Sequence, residues 1–172
     1  MSKLLKSTMV GLMIAGFTGC AQNTSDIEVI ALKSEKANLD GYKTYQIIDQ
    51  SGFVQDPKGT PIPTNLDVSA EIQQIVNAEL AKKGKMAVTA NPDFYVAYLA
   101  AADMDAIKEK VDKEGKITIE NAPDAAMLLT LIDADTAEII YISSAEGDVK
   151  GLPADQMKQR LNYAIKKMLG NM

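Results

Sequence analysis

The sequence has no histidine, no tryptophan and a single cysteine among its 172 residues, and its aromatic residues are six Tyr and three Phe. Without histidine it cannot form a Ser-His-Asp or Cys-His catalytic centre, an HExxH zinc site or an imidazole proton shuttle. One cysteine excludes an internal disulfide framework and a multi-thiolate metal site. The length suits one domain, and 47% hydrophobic with 24% charged residues indicates a folded chain.

The first twenty residues have the order of a secretory signal. Lys3 and Lys6 precede an apolar run at residues 9–17, which is followed by small or polar residues and then by Cys20. This order predicts a signal peptide at residues 1–19. The apolar run is too short for a transmembrane helix, which needs about 20 residues.

The end of this segment, Phe17-Thr18-Gly19-Cys20, resembles the lipobox of bacterial lipoproteins. The resemblance implies cleavage between Gly19 and Cys20 and acylation of Cys20, and two or three acyl chains anchor a soluble domain stably. Ala21 stands where an Asp would imply retention in the inner membrane, so we expect the outer membrane, on its periplasmic face. The alternative, a buried core cysteine, is disfavoured by its place between an apolar segment and a polar one.

Residues 20–25 are therefore predicted to be the lipidated cysteine and a short tether, and residues 26–172 a single domain. Removal of residues 1–19 takes away two lysines and leaves 16 basic against 23 acidic residues, a formal net charge of −7. A chain this acidic is not expected to bind nucleic acid or anionic lipid headgroups. The predicted partner is the membrane, reached through the lipid anchor.

Two segments have the apolar periodicity of amphipathic helices. The first follows Asn65 or Asp67, either of which can cap it, and ends at Gly84. The second begins near Pro153 and ends at Gly170. The apolar positions of the first are Val68, Ile72, Ile75, Val76 and Leu80, and those of the second are Met157, Leu161, Ala164, Ile165, Met168 and Leu169.

The remaining regular segments are predicted to be strands. Three prolines and two glycines predict a long loop at residues 51–65. Residues 104–113 fit either a short helix or a strand, and residues 133–137 predict a hairpin turn. The predicted fold is α+β, an antiparallel β-sheet with two amphipathic helices packed on one face. The predicted strands are residues 26–32, 42–49, 93–102, 117–119, 127–132 and 138–143.

Several short motifs, in a fixed order over most of the chain after residue 20, resemble the bacterial lipoprotein family called domain of unknown function 4136. The chain departs from that family at Tyr141, where Trp is frequent, and at Ala137, where a turn glycine is frequent. The resemblance implies the α+β fold and the envelope address, and it implies no catalytic residues. The motifs are Tyr42-Lys43-Thr44-Tyr45, Leu80-Ala81-Lys82-Lys83-Gly84, Pro92-Asp93-Phe94-Tyr95-Val96-Ala97-Tyr98, Asp133-Ala134-Asp135-Thr136 and Ile140-Tyr141.

Asp133 and Asp135 follow an apolar segment in the manner of phosphatases that use one carboxylate as nucleophile and a second as acid, with Mg²⁺. This pattern leaves a metal-dependent phosphohydrolase as one hypothesis. Asp and Thr also favour tight turns, and another strand is predicted directly afterwards. We therefore favour the hairpin turn.

Two further groups of polar residues have a chemical and a structural interpretation. Asp103, Asp105, Glu109 and Asp112 could bind Ca²⁺ through oxygen atoms, but they lack the glycine and terminal glutamate of an EF-hand, so a solvated acidic surface is favoured. Ser143-Ser144 could supply a nucleophile, but no supporting motif surrounds the pair. We predict no metal site, no cofactor and no catalytic residue.

Tyrosines recur on the predicted strands, and a Tyr suits either the edge of a core or a binding groove. Core use is favoured because few other aromatics are present. If the sheet has one face without helical cover, that face could receive an envelope protein, a dimer mate or a lipid-like ligand. The candidate residues of this face are Tyr45, Tyr95, Tyr98, Leu99 and Tyr141.

The sequence thus predicts an envelope lipoprotein that binds or supports a component of the outer membrane without catalysing a reaction. A carrier of apolar or lipid-like ligands is the second hypothesis. The phosphohydrolase at Asp133 and Asp135 is the third.

Overall fold

The computed structural model describes residues 23–54, 67–101, 107–111, 117–121, 127–147 and 151–172. The signal peptide, the cleavage site and Cys20 lie outside these residues. No helix in these ranges combines the length and the apolar character needed to cross a membrane.

Both predicted helices are confirmed. The first, α1 (Val68–Lys82), begins at Asp67, whose side chain accepts a hydrogen bond from the Ala70 N–H, as an N-cap residue does. The second, α2 (Ala154–Gly170), follows Pro153. Their buried apolar residues include nearly all of those that the 3.6-residue period predicted, with Leu161 partly exposed.

Six of the nine described strands overlap predicted strands, and three do not. Gly52–Val54 is a strand inside the predicted loop, Met86–Ala87 is a strand that the pattern did not predict, and Ile107–Val111 settles the open choice between helix and strand. The rest of that loop, residues 55–66, lies outside the described residues. The strands are β1 (Glu28–Lys33), β2 (Thr44–Ile47), β3 (Gly52–Val54), β4 (Met86–Ala87), β5 (Phe94–Ala101), β6 (Ile107–Val111), β7 (Ile117–Asn121), β8 (Met127–Asp133) and β9 (Ile139–Glu146).

Seven of these strands form one mixed sheet in the order β1-β9-β8-β5-β2-β4, with β3 also paired to β5. The β1–β9, β9–β8 and β8–β5 pairs are antiparallel. The pairs of β2 with β4 and β5, and of β3 with β5, are parallel. The prediction of an antiparallel sheet was therefore wrong for the half beyond β5, where α1 connects parallel strands. β6 and β7 form a separate antiparallel hairpin.

The main core lies between the sheet and the helices. Phe94, Val96 and Tyr98 of β5 are buried in this core, while the alternate residues of the strand are half-buried on the other face. That other face has a smaller apolar cluster in which Leu128 and Ile142 are buried. It is therefore not the bare surface that the lack of a third helix suggested.

Candidate functional site

The five residues predicted to form a ligand or partner face do not lie together. Tyr45, Tyr98 and Tyr141 belong to the core on the helix side, with 2%, 5% and 1% of their surface exposed. Tyr95 and Leu99 are half-buried on the opposite side of the sheet. The structure therefore divides the predicted face into three core residues and two outer-face residues.

The three buried tyrosines connect the sheet to the helices. Burial raises the pKa of each phenol, that of Tyr141 to about 12, so all three remain protonated donors at neutral pH. The acceptors are Asn77 Oδ1 for Tyr45 at 2.8 Å, the Ser69 carbonyl for Tyr98 at 3.3 Å, and the Met168 carbonyl for Tyr141. These hydroxyls thus have structural acceptors.

The outer face has a shallow groove with a volume of about 160 Å³. Its apolar wall includes Ile48, Ala97 and Leu99, and Ser51 and Thr130 add polar groups. Pockets that enclose a drug-sized ligand usually measure about 300 to 1,000 Å³. The groove is about half the size of the smallest such pockets, so it gives no support to the carrier hypothesis.

Asp133 organises the predicted hairpin between β8 and β9. Its Oδ1 accepts hydrogen bonds from the backbone N–H of Asp135 at 2.9 Å and of Thr136 at 2.7 Å, and from the Thr136 hydroxyl at 3.0 Å. Its Oδ2 accepts from the Tyr42 hydroxyl. The hairpin prediction is confirmed, and both carboxylate oxygens of Asp133 have partners within the fold.

The Tyr42–Asp133 hydrogen bond shifts the pKa of both side chains. Burial, and then the hydrogen bond to Asp133, raise the pKa of Tyr42 to about 12. The same bond is the largest of the effects that lower the pKa of Asp133. Tyr42 is therefore a neutral phenol and Asp133 a carboxylate across the physiological range.

A polar basin of about 370 Å³ opens beside Tyr42 and is lined by Asp93, Asp135 and Lys36 among others. Asp93 Oδ2 accepts from the Lys43 N–H at 2.7 Å and the Thr44 N–H at 2.8 Å, and these bonds lower the pKa of Asp93. The carboxylate thereby fixes the start of β2. No three His, Cys, Asp or Glu residues within the described ranges are arranged to hold a metal ion.

Lys85 forms part of the same end of the sheet and was not predicted from the sequence. Its side chain is 7% exposed, and Nζ donates to the Leu39 carbonyl at 2.6 Å and to the Tyr42 carbonyl at 2.7 Å. Burial lowers its pKa. In a Lys-Lys-Gly-Lys run, nothing in the sequence distinguishes this buried lysine from its two solvated neighbours.

The first described residues are held by α2, which the sequence also did not indicate. Arg160 is 5% exposed, and its Nη1 donates to the Asn23 carbonyl at 2.5 Å and to Asp26 Oδ1 at 2.9 Å, while Nη2 donates to Asp26 Oδ2. Lys167 Nζ donates to the Ile27 carbonyl at 3.5 Å. We call the contacts of Arg160 and Lys167 with residues 23–27 the N-terminal clamp. The predicted tether, residues 20–25, is therefore attached to the fold from Asn23 onwards.

The remaining predicted residues divide into two groups. Gly19, Cys20, Asp103, Asp105 and Asp112 lie outside the described residues, and Glu109 lies in β6 opposite Ile119. Ser143 is fully buried and its hydroxyl donates to the Ile30 carbonyl at 2.7 Å, across the β1–β9 pair. Ser143 therefore has a structural partner.

Comparison with known proteins identifies the family that the sequence motifs resemble. The family model described as domain of unknown function (DUF4136) matches residues 32–171. No curated protein matches the chain in sequence.

Solved structures share the fold at low sequence identity. A DUF4136 family protein from Bacteroides thetaiotaomicron is 11% identical with a TM-score of 0.59, over 85% of this chain and 95% of that one. The PelC dodecamer from Paraburkholderia phytofirmans is 11% identical with a TM-score of 0.49, over 85% and 97%. A minor lipoprotein from Acinetobacter baumannii is 10% identical with a TM-score of 0.27, over 76% and 87%. At these identities, the first similarity establishes the fold and nothing more.

Proposed function

The chain belongs to the DUF4136 family, and from this premise we propose that it is a lipoprotein of the outer membrane, anchored on the periplasmic face through Cys20. Its domain binds or supports an envelope component and does not catalyse a reaction. The observation that carries the proposal is Phe17-Thr18-Gly19-Cys20 directly after a basic and apolar N-terminal segment.

Two features of the fold agree with a non-catalytic role. Asp133 is the carboxylate on which the phosphohydrolase hypothesis depends. Its described hydrogen-bond partners are in its own hairpin turn and at Tyr42. The buried tyrosines donate to helix groups, so their hydroxyls are committed to the fold. The polar groups of these side chains therefore stabilise the fold.

Intact mass tests the anchor. The full chain, produced in a bacterium with an outer membrane, should lose residues 1–19 and gain the mass of the acyl chains, and it should partition into detergent. Cys20→Ser should abolish the added mass and the partitioning. Thr24→Ser is the matched control and should leave both unchanged, because the described contact of Thr24 is through its backbone carbonyl. An unmodified Cys20 in the membrane fraction would contradict the proposal.

The choice of membrane has its own test. If Ala21 permits export to the outer membrane, Ala21→Asp should move the acylated protein to the inner-membrane fraction of a density gradient. Ala21→Ser is the control and should stay with the outer membrane. Cofractionation of the wild-type protein with the inner membrane would show that the assignment of the outer membrane is wrong.

A further inference from the structure

The N-terminal clamp joins the start of the domain to one side of α2. The Arg160 guanidinium contacts Asn23 and both carboxylate oxygens of Asp26, and it is almost fully buried. Such a bidentate Arg–carboxylate pair fixes orientation as well as distance. Residues 23–27 therefore have a defined position on the fold.

Close packing at Gly147 supports this geometry. A Cβ built on Gly147 would lie 3.0 Å from Ile27 Cγ1 and 3.1 Å from Arg160 Nη2. These separations are tighter than ordinary van der Waals contact, so a side chain at residue 147 would require the Ile27 and Arg160 side chains to move by a few tenths of an ångström. Glycine at this position lets the segment and the guanidinium approach each other.

The distance from the clamp to the anchor is short. Asn23 is three positions after Cys20, and an extended chain spans at most about 3.6 Å per residue, or about 11 Å in all. The headgroup layer between the hydrocarbon and water is about 5 to 8 Å thick. A lipidated Cys20 at the base of that layer therefore places the surface around Asn23 at or within reach of the headgroups.

The exposed side of α2 next to the clamp has the residues expected at such a surface. Tyr163 is 39% exposed, and Lys167 Nζ lies 5.6 Å from the centre of its ring. Lys166 is also exposed. Tyrosine and lysine favour the membrane interface because each has an apolar body and a polar end. Lysines near an anionic surface each contribute about 1 kcal/mol.

On the basis of the proposed lipid anchor, we infer that the N-terminal clamp holds the side of α2 with Tyr163 and Lys167 against the phospholipid headgroups. This surface is the membrane-facing side of the domain. Lys166 and Lys167 supply positive charge for anionic phospholipid on this side of α2, while Glu28 and Glu146 are exposed beside the clamp at the start of β1. The opposite edge of the sheet, at β4, then points away from the membrane.

Fluorescence quenching by spin-labelled headgroups tests this orientation. The acylated protein is placed in vesicles of phosphatidylethanolamine and phosphatidylglycerol that contain a headgroup-labelled lipid, and a dye is attached at Gln159→Cys or Met86→Cys. Gln159 is exposed one turn before Tyr163, and Met86 is 62% exposed on β4, five strand spacings or about 24 Å from β1. Quenching should be several-fold stronger at residue 159 than at residue 86.

Two variants distinguish the effect of the N-terminal clamp on orientation from the effect of a folding defect. A ten-residue Gly-Ser insertion after Ala21 leaves the described fold intact and should remove most of the difference between the two sites. Arg160→Gln should also reduce quenching at residue 159 while the protein still unfolds cooperatively. If that variant does not fold, the insertion alone decides.

The outcomes distinguish the orientation from the anchor. Absence of acyl mass on Cys20 in the same preparation would overturn the proposed function and the orientation together. An acylated protein with equal quenching at residues 159 and 86 would overturn the orientation alone. Quenching at residue 159 that is unchanged by the insertion would show that the clamp does not set the orientation.

Discussion

Ala137 has a backbone conformation that glycine adopts more easily, with φ at 57° in the turn between β8 and β9. An L-residue in this left-handed region is strained by about 1 kcal/mol or more. Replacement by glycine removes the strain, but glycine loses more entropy on folding, so the net gain in stability is smaller than the strain. We expect Ala137→Gly to stabilise the protein by up to about 1 kcal/mol. Thermal unfolding measures the change.

The same turn supplies the control. Ala134 is not among the residues with positive φ in the described chain, so Ala134→Gly should give no gain and a small loss from chain entropy. Equal stabilisation by both substitutions would show that backbone strain at residue 137 is not the cause.

Alkaline pH should break the Tyr42–Asp133 bond. The pKa of Tyr42 is raised to about 12 in the fold from an ordinary value of 10.0. Its contribution to stability is therefore complete below pH 10 and is lost as pH rises from about 10 to about 12. The melting temperature of Tyr42→Phe should fall less over this window than that of the wild type. Parallel decreases in the two proteins would contradict this assignment.

Acid should break the same bond from the other side. The pKa of Asp133 is lowered from 3.8, so its contribution is complete above that value and is lost as pH falls through the lower folded pKa. Asp133→Asn should be less stable at neutral pH and should lose less on acidification. Asp135→Asn is the control, because Asp135 contributes its backbone N–H to the turn.

The network around Tyr42 shows the limit of sequence analysis at single residues. The turn around Asp133 was predictable, because Asp and Thr bond their own backbone locally. The contacts of Asp133 with Tyr42, and of Asp26 with Arg160, join residues 91 and 134 positions apart. Such pairs depend on how the strands and helices assemble, so the local sequence does not indicate them.

At the scale of elements, Tyr141 connects β9 to the last turn of α2. Carbonyls in the last turn of a helix lack partners within the helix, and the Tyr141 hydroxyl donates to the carbonyl of Met168. Tyr141→Phe leaves this buried acceptor without its donor. We expect a loss of about 1 to 2 kcal/mol in the free energy of unfolding, measured by denaturant titration.

Tyr95→Phe is the matched control for this loss. Tyr95 is half-buried on the outer face of β5, where water can replace any partner of its hydroxyl, so the change should stay within about 0.5 kcal/mol. A comparable loss in both variants would mean that the contact with α2 is not what Tyr141 contributes.

The elements differ in how well their sequences predicted them, for physical reasons. α1 and α2 have four or more turns of apolar periodicity, which few other structures share. β3 and β4 have three and two residues, too few to show alternation, and β3 begins with a glycine in a segment rich in turn residues. These two short strands make parallel pairs. The predicted strands β2 and β5 are also parallel to each other, so the error in the sheet type comes from the pairing of predicted strands as well as from the two missed ones.

At the scale of the whole molecule, the sheet has two different halves. The antiparallel half from β1 to β5 contacts α2, and the parallel half beyond β5 contacts α1. The buried tyrosines connect each half to its helix. Because β1 and α2 come from opposite ends of the chain, the N-terminal clamp also closes the fold at the point nearest the predicted anchor.

The two ends of the chain should therefore differ in what they contribute to stability. Among the residues that the structure describes, the buried apolar core runs from Ile27 to Leu169, and we expect removal of residues 1–22 to leave the melting temperature unchanged within about 2 °C. Removal of residues 153–172 deletes α2 with its four large buried apolar side chains, Met157, Ile165, Met168 and Leu169. At about 1.5 to 3 kcal/mol each, these amount to about 6 to 12 kcal/mol, which matches the whole stability of a typical domain.

Circular dichroism during heating measures both effects. The protein without residues 1–22 should show one cooperative transition, and the protein without residues 153–172 should show none. A cooperative transition without α2 would mean that the core does not depend on this helix.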